Sequence, residues 1–149
     1  MTQQLQARGP LAAIYAGLAL TVLATIAAYV DRGTTRLLAD HVQTGYPAYS
    51  PAQVDSAVTT YLVVLSAIGA LGVVGWLTAA WAVKAGKKWA RPAASVLLVL
   101  GISAGLAGLL TKDTSGATGL PPELGWAGTI PCLAGVLAVA LLWTRRLTT

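Results

Sequence analysis

Apolar residues along this chain gather into four long runs, with no strict alternation of apolar and polar positions. The runs are Leu11–Val30, Val58–Val83, Pro92–Thr111 and Trp126–Thr144. A helix needs about 20 mainly apolar residues, rising about 1.5 Å each, to cross about 30 Å of hydrocarbon. All four runs meet that length. Strands of a membrane barrel alternate apolar and polar side chains, and these runs do not. The expected class is therefore all-α: a polytopic membrane protein with one transmembrane domain over residues 1–149, a four-transmembrane-helix bundle. Its loops are residues 31–57 and 112–125 on one side and 84–91 on the other. A cleaved signal peptide is the competing reading of the first run. That run exceeds the roughly 7–15 apolar residues of such a segment, and its basic region is Arg8 alone.

Polar punctuation sets the expected helix ends. Gly9-Pro10, Ser50-Pro51 and Arg91-Pro92 each place proline where a first helical residue would sit, where its missing N–H is harmless. In YSPAQV, Ser50 and Gln53 have capping-box spacing, with Tyr49 and Val54 placed as a hydrophobic staple. The second helix is thus expected to begin at Pro51, ahead of its apolar run, and to project outward or tilt. TTRLLADHV, residues 34–42, reads either as a short helix at the outer interface, with Leu38 and Val42 on one face, or as a connector. Residues 113–125 are turn-rich. Pro131 kinks the fourth helix if that helix starts near Pro121 and sits in its first turn if it starts near Thr129; the kink is the expectation.

Small residues recur inside the runs. Gly69, Gly72 and Gly75 are spaced by three, and Gly101 and Gly105 by four, with Gly108 close to the same face. Ala13 and Gly17, and Ala134 and Ala138, repeat the spacing of four. Such stripes let helix backbones approach, so that van der Waals contact replaces the hydrophobic drive that lipid removes. Contact within one bundle is expected, since four spans supply partners; a dimerisation face is the other use.

Composition sharpens the picture. The chain is 56% hydrophobic and 10% charged, against about 25% charged in soluble domains. Its mean hydropathy is +0.68. The lone Cys132 excludes an internal disulfide and a cysteine-rich metal site. A pI near 9.7 raises the question of nucleic acid, but the cations are sorted by membrane side rather than along a soluble face. Arg8, Lys84, Lys87, Lys88, Arg91, Arg145 and Arg146 share one side with no acid. Asp31, Asp40, Asp55, Asp113 and Glu123 share the other with Arg32, Arg36 and Lys112. The sides carry +7 and −2, which together give the formal +5. Short Lys/Arg-rich loops stay inside, so both termini are expected to be cytoplasmic. Trp81, Trp89 and Trp143 lie by the basic ends, and Tyr29, Tyr46, Tyr49 and Trp126 by the opposite boundary, as interfacial rings do.

Candidate chemistry is sparse. No span holds Asp, Glu, Lys, Arg or His, so a proton-coupled pump has no relay. No carbonyl filter segment and no convincing self-similarity between the halves is visible. His41, with Asp40 beside it and Asp31 and Asp55 nearby in sequence, is thin support for an external metal. Ser66, Ser103, Thr21, Thr25, Thr78 and Thr129 are expected to satisfy backbone carbonyls or bridge helices. Cys132 has no neighbouring base to activate it. No catalytic residue, cofactor or metal site is expected.

The segment KAGKKWARP, residues 84–92, is the most distinctive polar feature. Lys84, Lys87, Lys88 and Arg91 crowd around Trp89. Next to a bilayer they attract anionic lipid at about 1 kcal/mol per cation. Setting orientation alone is a second reading, and a cytoplasmic protein partner a third. Together TSGATGLPPELGW, PCLAGVLAVALLW and GKKWAR make residues 46–146 resemble small four-span membrane proteins of high-GC actinobacteria. The resemblance implies a plasma-membrane location and carries over no functional residue. The expected role is a non-catalytic accessory or scaffold subunit acting through helix packing and lipid contacts, with partners in the bilayer, in itself or in another membrane protein. The alternative is a small oligomeric transporter or channel for a neutral or apolar solute.

Overall fold

A computed structural model describes residues 2–144, with side chains from residue 5 onward; Arg145 and Arg146 of the expected basic side lie outside the described residues. Five helices follow one another: α1 Thr2–Gly33, α2 Leu37–Gly45, α3 Pro51–Lys84, α4 Ala90–Leu110 and α5 Pro122–Thr144. All but α2 are long and apolar enough to cross a membrane. The four expected spans lie within these helices, except that Thr111 caps α4 rather than belonging to it. Ser50 caps α3 as its sequence predicts: the Gln53 amide donates to Ser50 Oγ at 3.3 Å, and the Ser50 amide donates to Gln53 Oε1 at 2.8 Å. Two proline expectations need correction. Pro10 lies inside α1, which starts at Thr2. Pro92 is the third residue of α4, which starts at Ala90. Proline is tolerated in a first turn as well as at its first position; in α1 the good helix formers of TQQLQAR extend the helix ahead of it. Pro131 falls inside α5, whose start at Pro122 is the arrangement expected to kink that helix.

Two antiparallel helix pairs make the bundle. In the α1–α3 pair an i+4 stripe on α1, Gly17-Thr21-Thr25-Tyr29, runs against Trp76, Gly72, Gly69 and Ser66 in descending order. Tyr29 and Ser66 share a hydrogen bond at 2.5 Å. A Cβ at Gly69 would collide with Thr25, one at Gly72 would lie 3.1 Å from Thr21, and one at Gly17 would enter the Trp76 ring. Thr21 and Thr25 donate to the carbonyls of Gly17 and Thr21, at 2.8 and 2.9 Å. In the α4–α5 pair Gly101 faces Cys132, Gly105 faces Thr129, Leu109 fills the space at Gly125, and Leu98 lies against Gly135. Helix α1 also packs along α5, joining the pairs.

Trp76 occupies the junction. Its indole N–H donates to Thr21 Oγ1 at 2.9 Å, and its ring edge lies 3.5 Å from where a Cβ of Gly135 would stand. A ring therefore fills the space between α1, α3 and α5, with its polar atom satisfied. Toward the basic end Ala13, Ala79, Ala80 and Ala138 continue the packing with side chains small enough for close backbone approach, and the fully buried Ile14 packs among them.

Residues 34–42, read as helix or connector, contribute most of α2, and α2 is part of the core. Leu38, Ala39 and Val42 are buried against Ala28 of α1 and Val54, Val58 and Leu62 of α3. The first turns of α3, expected to project beyond the bilayer, thus meet a cover. A large side chain buried here contributes about 1.5–3 kcal/mol where its burial removes it from water.

Candidate functional site

The bundle has two polar ends, built from different chemistry. At the end holding α2, Asp31, Asp55 and Asp113 are matched within the chain. Asp31, 5% exposed, lies in the last turn of α1 and caps α2 from upstream: Oδ1 accepts from the Leu37 amide at 2.8 Å and the Thr35 hydroxyl at 2.6 Å, and Oδ2 from the Leu38 amide at 3.0 Å. The tight passage puts Arg36 in the left-handed region, φ 55°, which costs an L-residue about 1–2 kcal/mol. The carboxylate cap compensates that strain. Arg32 donates to Asp55 at 2.8 Å, an exposed pair worth at most about 1 kcal/mol.

Residues 111–119 form a small turn that docks onto α2. Lys112 and Thr118 bridge in antiparallel fashion, and Gly116 takes φ 86° at the tip. His41 Nε2 lies 2.5 Å from the Thr118 carbonyl, which fixes it as the N–H nitrogen because a carbonyl only accepts. Tyr46 and Thr114 share a hydrogen bond at 2.5 Å. His41 is thus turned to backbone rather than to Asp31 or Asp55. Asp113 Oδ1 accepts from the Ser115 hydroxyl and, at 2.8 Å, from the Ser115 amide. The Ser115 hydroxyl, with further help from its amide and the nearby His41, holds the Asp113 carboxyl below its ordinary value.

The opposite end has cations and no acidic side chain among the described residues: Arg8, Lys84, Lys87, Lys88 and Arg91. The link from α3 to α4 is tightly specified. Gly86 takes φ 62°, a conformation glycine adopts freely. Its amide donates to Val83 at 3.2 Å, and the Lys87 amide reaches back to Ala82 at 3.0 Å, closing α3 in a Schellman motif.

The structure divides the four cations of this link. Lys84 Nζ stands 5.4 Å from the ring centre of Tyr15 on α1, and Lys87 Nζ 5.6 Å from that of Trp81. Both are within range of cation–π attraction, and Trp81 in turn meets Trp89 at 5.8 Å. Lys88 and Arg91 instead line a cleft of about 250 Å³ with Pro92 and Trp143. The Trp143 indole N–H donates to Ser95 Oγ at 3.1 Å, and Ser95 Oγ donates to the Arg91 carbonyl at 3.0 Å. Ser95 was not singled out by sequence; its place one helical turn after Arg91 was the available signal. A second groove of about 420 Å³ runs along the first turns of α3 and is lined by Tyr49, Ala52, Gln53, Ser56, Ala57 and Thr60, without a charge.

The other singled-out residues are structural in placement. Gly69 and Gly72 face α1, Gly75 faces Leu97 of α4 at 3.3 Å, Gly101 and Gly105 face α5, and Gly108 faces Leu120 at 3.6 Å. Each meets an element of its own chain. Ser50 and Gln53 act on the start of α3. Comparison with family models, with curated proteins and with solved structures finds no significant match.

Proposed function

We propose that this chain is a multi-pass protein of a bacterial plasma membrane, with its basic end cytoplasmic, serving as a non-catalytic accessory or scaffold subunit through helix packing and lipid contacts. The observation that carries the reading is the contrast between a charge-free, side-chain-filled bundle and one end that holds cations without acids. The resemblance to small four-span actinobacterial proteins supports the choice of membrane. Cations retained on the cytoplasmic side support the orientation. Trp76, wedged between α1, α3 and α5, favours packing over a conducting path, and so favours this role over the transporter or channel alternative. The outward side of α4, with Val99, Leu100, Leu106 and Leu110 exposed, is available to lipid or to another membrane protein.

A photo-crosslinking residue at Leu106, in cells that also carry a tag after Thr149, tests the proposal. The expected result is a discrete protein adduct and a tag shielded in intact cells. Adducts to lipid alone, with a lone monomer in mild detergent, overturn the accessory role. A tag labelled from outside overturns the orientation.

A further inference from the structure

We propose that the cleft between the start of α4 and the end of α5 binds the phosphate of an anionic phospholipid headgroup, held by Lys88 and Arg91 against Trp143. The inference rests on the membrane reading above and narrows it from four cations to two. Lys84 and Lys87 already have aromatic rings beneath them. Lys88 and Arg91 converge on a common space, and no acidic side chain among the described residues pairs with either; the ion pair found among those residues, Arg32–Asp55, is at the opposite end.

The chemistry of the lining matches a phosphodiester at the bilayer surface. An Arg guanidinium offers a planar fork that engages two phosphate oxygens, and a Lys ammonium adds a compact charge. Trp143 is held in place because its N–H is committed to Ser95, which is itself bonded to the Arg91 carbonyl. The indole therefore presents carbon surface to the glycerol and upper acyl region, as interfacial tryptophans do. The cleft sits where the apolar runs of α4 and α5 meet the basic end, at Pro92 and Trp143; on the membrane reading that boundary is the level of the headgroups. A zwitterionic headgroup also carries phosphate, but it brings its own cation toward two cations already present. The site therefore selects lipids of net negative charge.

The test uses the full chain in mild detergent, offered phosphatidylglycerol or phosphatidylcholine with identical acyl chains, with retained lipid read by native mass spectrometry. Lys88→Gln with Arg91→Gln is compared with Lys84→Gln with Lys87→Gln, an equal change of charge. The first pair is expected to lower retention of phosphatidylglycerol about thirty-fold, from the usual worth of two surface cations, and the second by less than about three-fold. Equal losses overturn the cleft and leave a general field. Should the double variant fail to fold, Arg91→Lys keeps the charge and loses the fork; a drop of about five-fold is expected, and unchanged retention overturns the site. Displacement of the lipid by inorganic phosphate at matching concentration overturns the lipid as occupant. Recovery of the chain from the soluble fraction without detergent strikes the membrane reading itself, a result distinct from failure of the cleft.

Discussion

The two ends of the bundle solve the same problem, ordering polar groups where helices leave the apolar phase, in opposite ways. At the α2 end Asp31, Asp55 and Asp113 each meet a donor from this chain, and a short helix and a turn dock together over the bundle. At the basic end two cations rest on rings, and two face a cleft with no acidic side chain paired to them among the described residues. Order at the first end is internal. At the second, part of it waits for something from outside. Where two charges of one sign converge on a single cleft, as Lys88 and Arg91 do, that end is the one prepared for a partner.

The largest test removes what joins both ends into one frame. Trp76→Ala empties the junction of α1, α3 and α5 and leaves Thr21 without its indole donor; a loss of about 3–5 kcal/mol is expected, read as a fall in thermal midpoint by circular dichroism in mild detergent. Unchanged stability would mean the junction is not close-packed. Next is the α2 end alone. Asp31→Ala strips the acceptor from two amides and is expected to cost about 2 kcal/mol, with Asp31→Asn costing about half. Hydrogen exchange should quicken over residues 35–45 and stay unchanged near Gly86; equal quickening at both ends would break the distinction drawn here.

Smaller effects sharpen the comparison. Lys88→Gln with Arg91→Gln is expected to alter thermal stability in lipid-free detergent by less than about 0.5 kcal/mol, since neither side chain has an ion-pair partner among the described residues. A larger loss would show that the basic end is internally matched after all. Asp113 gives the smallest effect. Its carboxyl is held below the ordinary 3.8, with Ser115 the first cause. A depressed acid stabilises the fold fully above its ordinary value and loses that contribution as pH falls through the lower, folded value. The thermal midpoint of the native chain should therefore drop toward that of Asp113→Asn on acidification below about pH 4, and the two should differ at neutral pH. Coincident midpoints at neutral pH would remove Asp113 from the account.

Much of this was legible in one dimension. Four apolar runs, free of charge and long enough to span, determined four long helices, because a bilayer-length helix is written in consecutive residues. The Ser50–Gln53 box determined the start of α3, because a cap is a local contact over three residues. The sorting of cations from acids by loop determined which end would be basic. Pro10 misled, because proline permits a helix start without requiring one, and TQQLQAR is itself helix-forming.

What tertiary structure alone decided is which partner each of these features meets. Trp76 and Thr21 are separated by 55 residues, and no local pattern states the register that brings an indole onto Gly17. The same holds for α2, whose buried face shows its purpose only against Val54 and Val58, and for the cap it receives from Asp31. KAGKKWARP announces four cations in one link; their division into two over rings and two around Trp143 depends on where α1 and α5 lie beside them. Hydropathy and capping act between neighbours in sequence, whereas register between helices is fixed by side-chain shape across the gap, and that shape is complete only when all the helices are in place.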